Sequence, residues 1–148
     1  MIWKPNVTVA SVVEREGRFL LVEEETEGGV CLNQPAGHLD EGESLLMAAA
    51  RETLEETGYH FAPRFLIGVY QWPRPGKDVT YLRFAFGGVV VGHEPERVLD
   101  TGIIRALWMS VDELHASRAR HRSPMVERCV ADYLSGRRCP LELIHHFE

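Results

Sequence analysis

The segment Ser44–Thr57 constrains this chain more than any other. It is rich in Leu, Ala and Glu, all good helix formers, and it stops at Gly58, a residue suited to the left-handed position that closes a helix. On a helix turning about 100° per residue, with Glu52 as origin, Glu55 falls at about −60° and Glu56 at about +40°. Three carboxylates therefore share one arc. Leu46, Ala50, Thr53, Leu54 and Thr57 lie on the other side, which can pack on a sheet. The acidic front is unfavourable unaided. Glu52 and Glu56 repel at i,i+4 by about 0.2–0.5 kcal/mol in an isolated helix, and acids near a helix C-terminus meet the negative end of the dipole. Arg51 compensates in part, by reaching Glu55 at i+4 or Glu43 if the preceding loop folds back. A hard divalent cation such as Mg²⁺, with oxygen ligands and exchangeable waters, would resolve the rest.

The remaining segments place this helix in a layered domain. Val7–Val13 and Arg18–Glu24 are β-rich runs joined through Glu14-Arg15-Glu16-Gly17, the pattern of a hairpin. Val30–Gln34 is a short strand stopped by Pro35. Arg64–Trp72 and Val79–Val91 are further strands around the turn Pro73–Asp78. In the second of these, Leu82, Phe84 and Phe86 alternate with Tyr81, Arg83 and Ala85, which predicts one core face and one polar face. Ile103–Met109 is another strand, followed by the capping box Ser110–Glu113. Ser123 caps a last helix, with Pro124 at its first position and its end near Gly136. At 148 residues, with no linker or internal repeat, the chain reads as one α/β (α+β) domain over 1–148.

Charge and cysteine usage exclude several classes. The formal charge is −6, from 16 basic and 22 acidic residues, which argues against a nucleic-acid partner bound through a basic surface. The acids concentrate between Glu23 and Glu56, where Arg51 is the sole base. Such a centre binds an anion through cations rather than directly. Cys31, Cys129 and Cys139 are odd in number and widely spaced, which argues for free thiols in a reducing, cytoplasmic setting. No apolar run approaches membrane-spanning length, and no signal peptide is visible at the N-terminus.

Chemistry gathers in one pattern. Gly37 is followed after five residues by Glu43, then after seven by Arg51-Glu52-Thr53-Leu54-Glu55-Glu56-Thr57-Gly58-Tyr59. This stretch, 37–59, resembles the Nudix box, and all seven fixed positions agree: Gly37, Glu43, Arg51, Glu52, Glu55, Glu56 and Gly58. Thr53 and Tyr59 depart from the bulky aliphatic residues of the box, and Thr53, on the core side, is expected to loosen packing. The resemblance to Nudix hydrolases extends over residues 3–144. Its landmarks are Lys4-Pro5, Asn33-Gln34-Pro35-Ala36-Gly37-His38, Gln71-Trp72, Leu82-Arg83-Phe84 and Arg122-Ser123-Pro124.

The resemblance implies a mixed sheet sandwiched between helices, with a loop–helix–loop that holds Mg²⁺, or Mn²⁺ in its place. It implies Glu55 and Glu56 as metal ligands with the Ala36 carbonyl, and Glu52 as a ligand or the base that activates water. Arg51 and Glu43 then brace the loop by pairing, and Gly37 and Gly58 serve the backbone. A further acid from Glu94, Glu96 or Asp100 is expected to join. Arg83, Trp72, Gln34, Arg122 and Lys4 are the candidates for holding substrate.

The implied reaction is hydrolysis of phosphoanhydride bonds in small molecules, by a monomer or homodimer. Within the subgroup that shares the flanking landmarks, it releases orthophosphate from nucleoside tri- and diphosphates and from thiamine-pathway pyrophosphates. The alternatives are a Nudix enzyme of another specificity (oxidised nucleotides, ADP-ribose, dinucleoside polyphosphates or RNA 5′ ends) and a non-catalytic ligand sensor. A sensor commonly lacks a box glutamate, whereas all are present here.

Overall fold

The adjacent apolar pairs Val9-Ala10 and Val12-Val13 require a strand covered on both faces, and that is what the computed structural model, which describes residues 1–148, contains. Strand β1 (Asn6–Arg15) buries Val9 and Val13 on one side and Ala10 and Val12 on the other. It leads through a positive-φ turn at Glu16-Gly17 into β2 (Arg18–Thr26) and β3 (Gly29–Asn33). Strand β4 (Ala36–His38) precedes helix α1 (Leu45–Thr57), after which come β5 (Tyr59–Pro73), β6 (Thr80–His93) and β7 (Ile103–Ser110). Helices α2 (Val111–Ala116) and α3 (Met125–Leu134) follow.

The seven strands form one mixed sheet in the order β3-β2-β1-β6-β5, with β4 added to β1 and β7 to β2. The β1–β6 pairing is parallel and the others are antiparallel. Helix α1 covers one face, packing Ala48 and Ala49 against Val9, Val13, Phe61, Leu66 and Phe86. Helix α3 covers the other, packing Val126, Cys129 and Val130 against Ala10, Val12, Ile67 and Ala85. The layered α+β architecture expected from the sequence is therefore the one present.

Four local expectations are corrected. Strand β6 has no solvated face over Arg83–Gly87, where it is central: Phe86 is buried toward α1, and Arg83 and Ala85 are buried on the side of α3, and exposure returns only further along, at Val89 and Val91. Strand β5 starts at Tyr59 rather than near Arg64, and its register breaks around Pro63 and Gly68. An edge strand tolerates such breakers because its outer N–H groups are not needed for pairing. Strand β4 is too short to show alternation in sequence. Helix α3 begins one residue later than expected, at Met125, with Ser123 Oγ accepting the Met125 N–H at 3.1 Å.

The buried stripe of α1 also differs from the expected one. It comprises Ala48, Ala49, Thr53, Thr57 and Glu56, so it overlaps the acidic arc instead of opposing it. Thr53 does not loosen the interface. Its Oγ1 lies 2.8 Å from both Ala49 O and Ser11 Oγ, so the buried hydroxyls satisfy each other. The termini of α1 follow the sequence. Ser44 Oγ accepts the Met47 N–H at 3.1 Å, and Gly58, at φ 78°, donates its N–H to Leu54 O at 2.9 Å.

Candidate active site

The loop–helix–loop is organised around Arg51. Its Nε and Nη2 donate to the two oxygens of Glu43 at 2.6 and 3.0 Å, a bidentate fork. Nη2 also donates to His38 O at 3.0 Å, which ties the helix to β4. Nη1 bridges Glu52 at 2.9 Å and Glu55 at 2.8 Å, and Asp40 lies 3.4 Å from Nη2. Both pairings considered from sequence, with Glu43 and with Glu55, are thus made at once. The Glu43 bond contributes most to raising the Arg51 pKa and holds the guanidinium charged.

Gly37 permits this arrangement by having no side chain. A Cβ placed there would stand 2.2 Å from the Glu52 carboxyl carbon. Gly37→Ala is accordingly expected to leave the sheet intact but displace Glu52, cutting turnover by about 10²-fold, the scale of an ångström-sized misplacement. Normal turnover in a folded G37A protein would show that Glu52 works elsewhere.

Glu56 has the most perturbed carboxyl of the site. It is 8% exposed, and its Oε1 accepts the Ala36 N–H at 2.9 Å. Burial pushes its pKa up to about 9. The Ala36 bond opposes that rise, while Glu52, Glu24 and Asp100 add to it by repulsion. Burial raises the Glu52 pKa too, against Arg51. Asp100, whose N–H donates to Glu55 O at 3.0 Å, is raised by burial and then by Glu55. These are hard oxygen donors with too few cations among them, a set suited to Mg²⁺ or Mn²⁺. No three acidic, His or Cys side chains converge into a ready-made cage; Arg51 is the cation that Glu52 and Glu55 share instead.

A cleft of about 330 Å³ opens beside these acids. Glu52, Glu56, Asp40 and Glu24 line its acidic part, Arg83, Arg122 and Arg74 its basic part, and Trp72 and Tyr81 its aromatic wall. The two rings stack with centroids 6.0 Å apart. Arg83 stands beside Thr8 in the β1–β6 register, which carries the cleft from α1 to the α3 side of the sheet.

The residues singled out from sequence divide accordingly. Glu52, Glu56, Trp72, Arg83 and Arg122 share the cleft, while Glu55 faces Arg51. Gln34 does not line the cleft. It is 1% exposed, with Nε2 bonded to Val126 O at 2.6 Å and Oε1 accepting from Arg83, so it is a strut behind the wall. Lys4 is exposed and outside the cleft. Of the three outlying acids, Asp100 lies near the glutamates, whereas Glu94 is held by His60 at 2.6 Å and Glu96 is exposed. Glu24 was not anticipated. It sits on the cleft wall paired with Arg122 at 2.7 Å, and its signal was its place in the acid run of β2.

The NUDIX domain family matches residues 3–129. The chain belongs to the Nudix family. It is 45% identical over 147 residues to phosphatase NudJ of Escherichia coli strain K12, across 99% of this chain and 94% of that protein. A NUDIX hydrolase from Nitrosomonas europaea superposes with a TM-score of 0.95 at 52% identity, covering 97% of this chain and 98% of that one. A MutT NUDIX hydrolase from Burkholderia pseudomallei, at 23% identity and a TM-score of 0.67 over 80% of this chain and 96% of that one, shares the fold. The protein is thus a Nudix hydrolase, and the stretch 37–59 that resembles the family's box forms the Arg51-centred loop–helix–loop described above. No helix is long and apolar enough to cross a membrane.

Proposed function

We propose that this Nudix hydrolase cleaves the terminal phosphoanhydride of nucleoside tri- and diphosphates and of thiamine-pathway pyrophosphates, releasing orthophosphate with Mg²⁺ or Mn²⁺ as cofactor. The observation that carries the reading is one cleft holding the buried acids Glu52 and Glu56, arginines beyond them and the Trp72–Tyr81 wall. Similarity to phosphatase NudJ supports the orthophosphate product. A reducing compartment such as the cytoplasm suits the three free cysteines.

Glu52, Glu55 and Glu56, with the Ala36 carbonyl, are assigned to hold the metal, which when bound supplies charge neutralisation for the phosphates and a more acidic water. Glu52, its pKa raised by burial, is placed to accept the proton of the attacking water. Arg51 keeps Glu52 and Glu55 aligned through Nη1. Arg83 and Arg122 orient the phosphate chain from the basic part of the cleft, and Trp72 stacks on the organic ring. Water attacks the terminal phosphorus in line, and the shortened phosphate ester leaves with the bridging oxygen.

The product decides the matter. GTP incubated with Mg²⁺ should give GDP and then GMP, with orthophosphate at each step on anion exchange, and a diphosphate should serve as well as a triphosphate. Pyrophosphate as the main product, or an inert diphosphate, would place the chain among enzymes that attack an inner phosphorus. Trp72→Ala should raise KM for ring-bearing substrates by about tenfold with little change in kcat, because stacking stabilises ground and transition states alike. A matching fall in kcat would instead make Trp72 a determinant of alignment.

A further inference from the structure

Arg83 is 3% exposed, and its guanidinium is paired with no carboxylate. Nη1 donates to Gln34 Oε1 at 2.8 Å and Nη2 to Asn33 Oδ1 at 3.0 Å, both neutral amides. Nη1 also lies 3.8 Å from Cys129 Sγ, whose thiol burial pushes up and so keeps neutral. Nε–H has no acceptor. The edge of the guanidinium that carries Nε and Nη2 presents two parallel N–H bonds, and of these two atoms only Nη2 has an acceptor, Asn33 Oδ1. That edge is the fork that matches two oxygens of a phosphate.

An ionised guanidinium buried without a carboxylate is one of the costliest arrangements a fold tolerates, and it calls for an explanation. Arg51 and Arg122 meet carboxylates, Glu43 and Glu24. Arg83 is given amides instead, and one of them, Gln34, is itself fixed on Val126 O at 2.6 Å. Neutral acceptors hold the guanidinium in place while leaving its charge available. It lines the cleft alongside Thr8, Asn33 and Ser123, beyond the acidic part formed by Glu52 and Glu56.

We propose that Arg83 is a fixed seat for one phosphate group, separate from the carboxylates of α1, and that it binds inorganic phosphate and phosphate monoesters without a metal ion. The seat stands independently of the proposed function; its part in turnover rests on that reading. With one phosphoryl group at the carboxylates and its neighbour at Arg83, the smallest good substrate carries two linked phosphates. A monophosphate product keeps its hold on Arg83 and competes with the next substrate. The seat thus sets the phosphate count that the enzyme recognises and makes its own product an inhibitor.

The test is phosphate binding in EDTA, read by thermal shift and calorimetry, with KCl matched for ionic strength. Wild type should be stabilised by inorganic phosphate and by a nucleoside monophosphate, and not by KCl. Arg83→Met, which removes the uncompensated charge and keeps the length, should melt at or above wild type in phosphate-free buffer. It should bind phosphate at least about tenfold more weakly, an effect of the size expected for a charge-assisted fork. Glu56→Gln should keep the binding. If Arg83→Met does not fold, Asn33→Asp places a carboxylate on Nη2 and should abolish the binding in a folded protein. Absent phosphate stabilisation in wild type, an equal response to KCl, or unchanged affinity in a folded R83M or N33D variant would overturn the seat. A seat that binds phosphate in a protein that hydrolyses no diphosphate would sink the proposed function and leave this inference standing.

Discussion

Glu56→Gln is expected to lower phosphate release by about 10²–10⁴-fold while raising the stability of the metal-free protein at alkaline pH. Glutamine keeps the Oε1 that accepts the Ala36 N–H, so the geometry survives and only the charge is removed. In the folded state the carboxyl pKa is pushed up from its ordinary value of 4.5 to about 9, by burial first. Between those values the folded protein binds more protons than the unfolded one, so wild-type stability in EDTA should fall as pH rises across the window and level off above about 9. The variant should lack this slope. The two proteins should melt together near pH 4 and separate by an energy on the order of a few kcal/mol at pH 8. Added Mg²⁺ should reverse the order by stabilising wild type more, because binding to the folded state alone raises its stability. Paired melting curves across pH, with and without Mg²⁺, read every part of this. Near-normal turnover with the wild-type pH slope would remove Glu56 from the site.

Arg51→Ala should have the larger effect on folding. One guanidinium neutralises Glu43, Glu52 and Glu55 and pins His38 O, so its loss leaves several half-buried carboxylates facing each other. Removing one partner of such a network costs about 3–5 kcal/mol, or about 10 °C in melting temperature for a domain of this size. Affinity for Mg²⁺ should fall with it, since the loop from Gly37 to Glu43 loses its brace. Saturating Mg²⁺ should restore part of the lost stability, because the ion replaces the missing positive charge. Calorimetric titration beside thermal melts distinguishes the outcomes. Lost turnover with unchanged stability and metal affinity would make Arg51 a group that touches substrate.

Much of this was legible in order along the chain. The Ser44 cap, the Gly58 stop and the Glu43–Arg51–Glu52–Glu55–Glu56 spacing depend on separations within two turns of helix and one short loop, where 100° per residue suffices to say which groups meet. The Ser110–Glu113 capping box is local in the same sense. Strand β4 was hidden because three residues carry no periodicity, and the first residues of β5, Tyr59–Pro63, because Pro63 interrupts a pattern that an edge position tolerates.

What tertiary structure alone decided is where long-range neighbours change the meaning of a residue. Arg83 alternates with core phenylalanines and reads as a residue of a polar face that could hold substrate; parallel pairing with β1 and the cover of α3 make it a buried cation held by Gln34 and Asn33. Gln34 looked like a ligand and is a strut, Lys4 lies away from the cleft, and Glu24 reaches the site from β2, a strand separated from the helix by β3 and β4. The sequence by itself determined the acidic helix, its termini and the brace within the box, because those interactions are close in the chain. The depth of Glu56, the uncancelled charge of Arg83 and the joining of acids, arginines and aromatic wall into one cleft were decided by tertiary packing, because burial and electrostatic environment belong to no single segment.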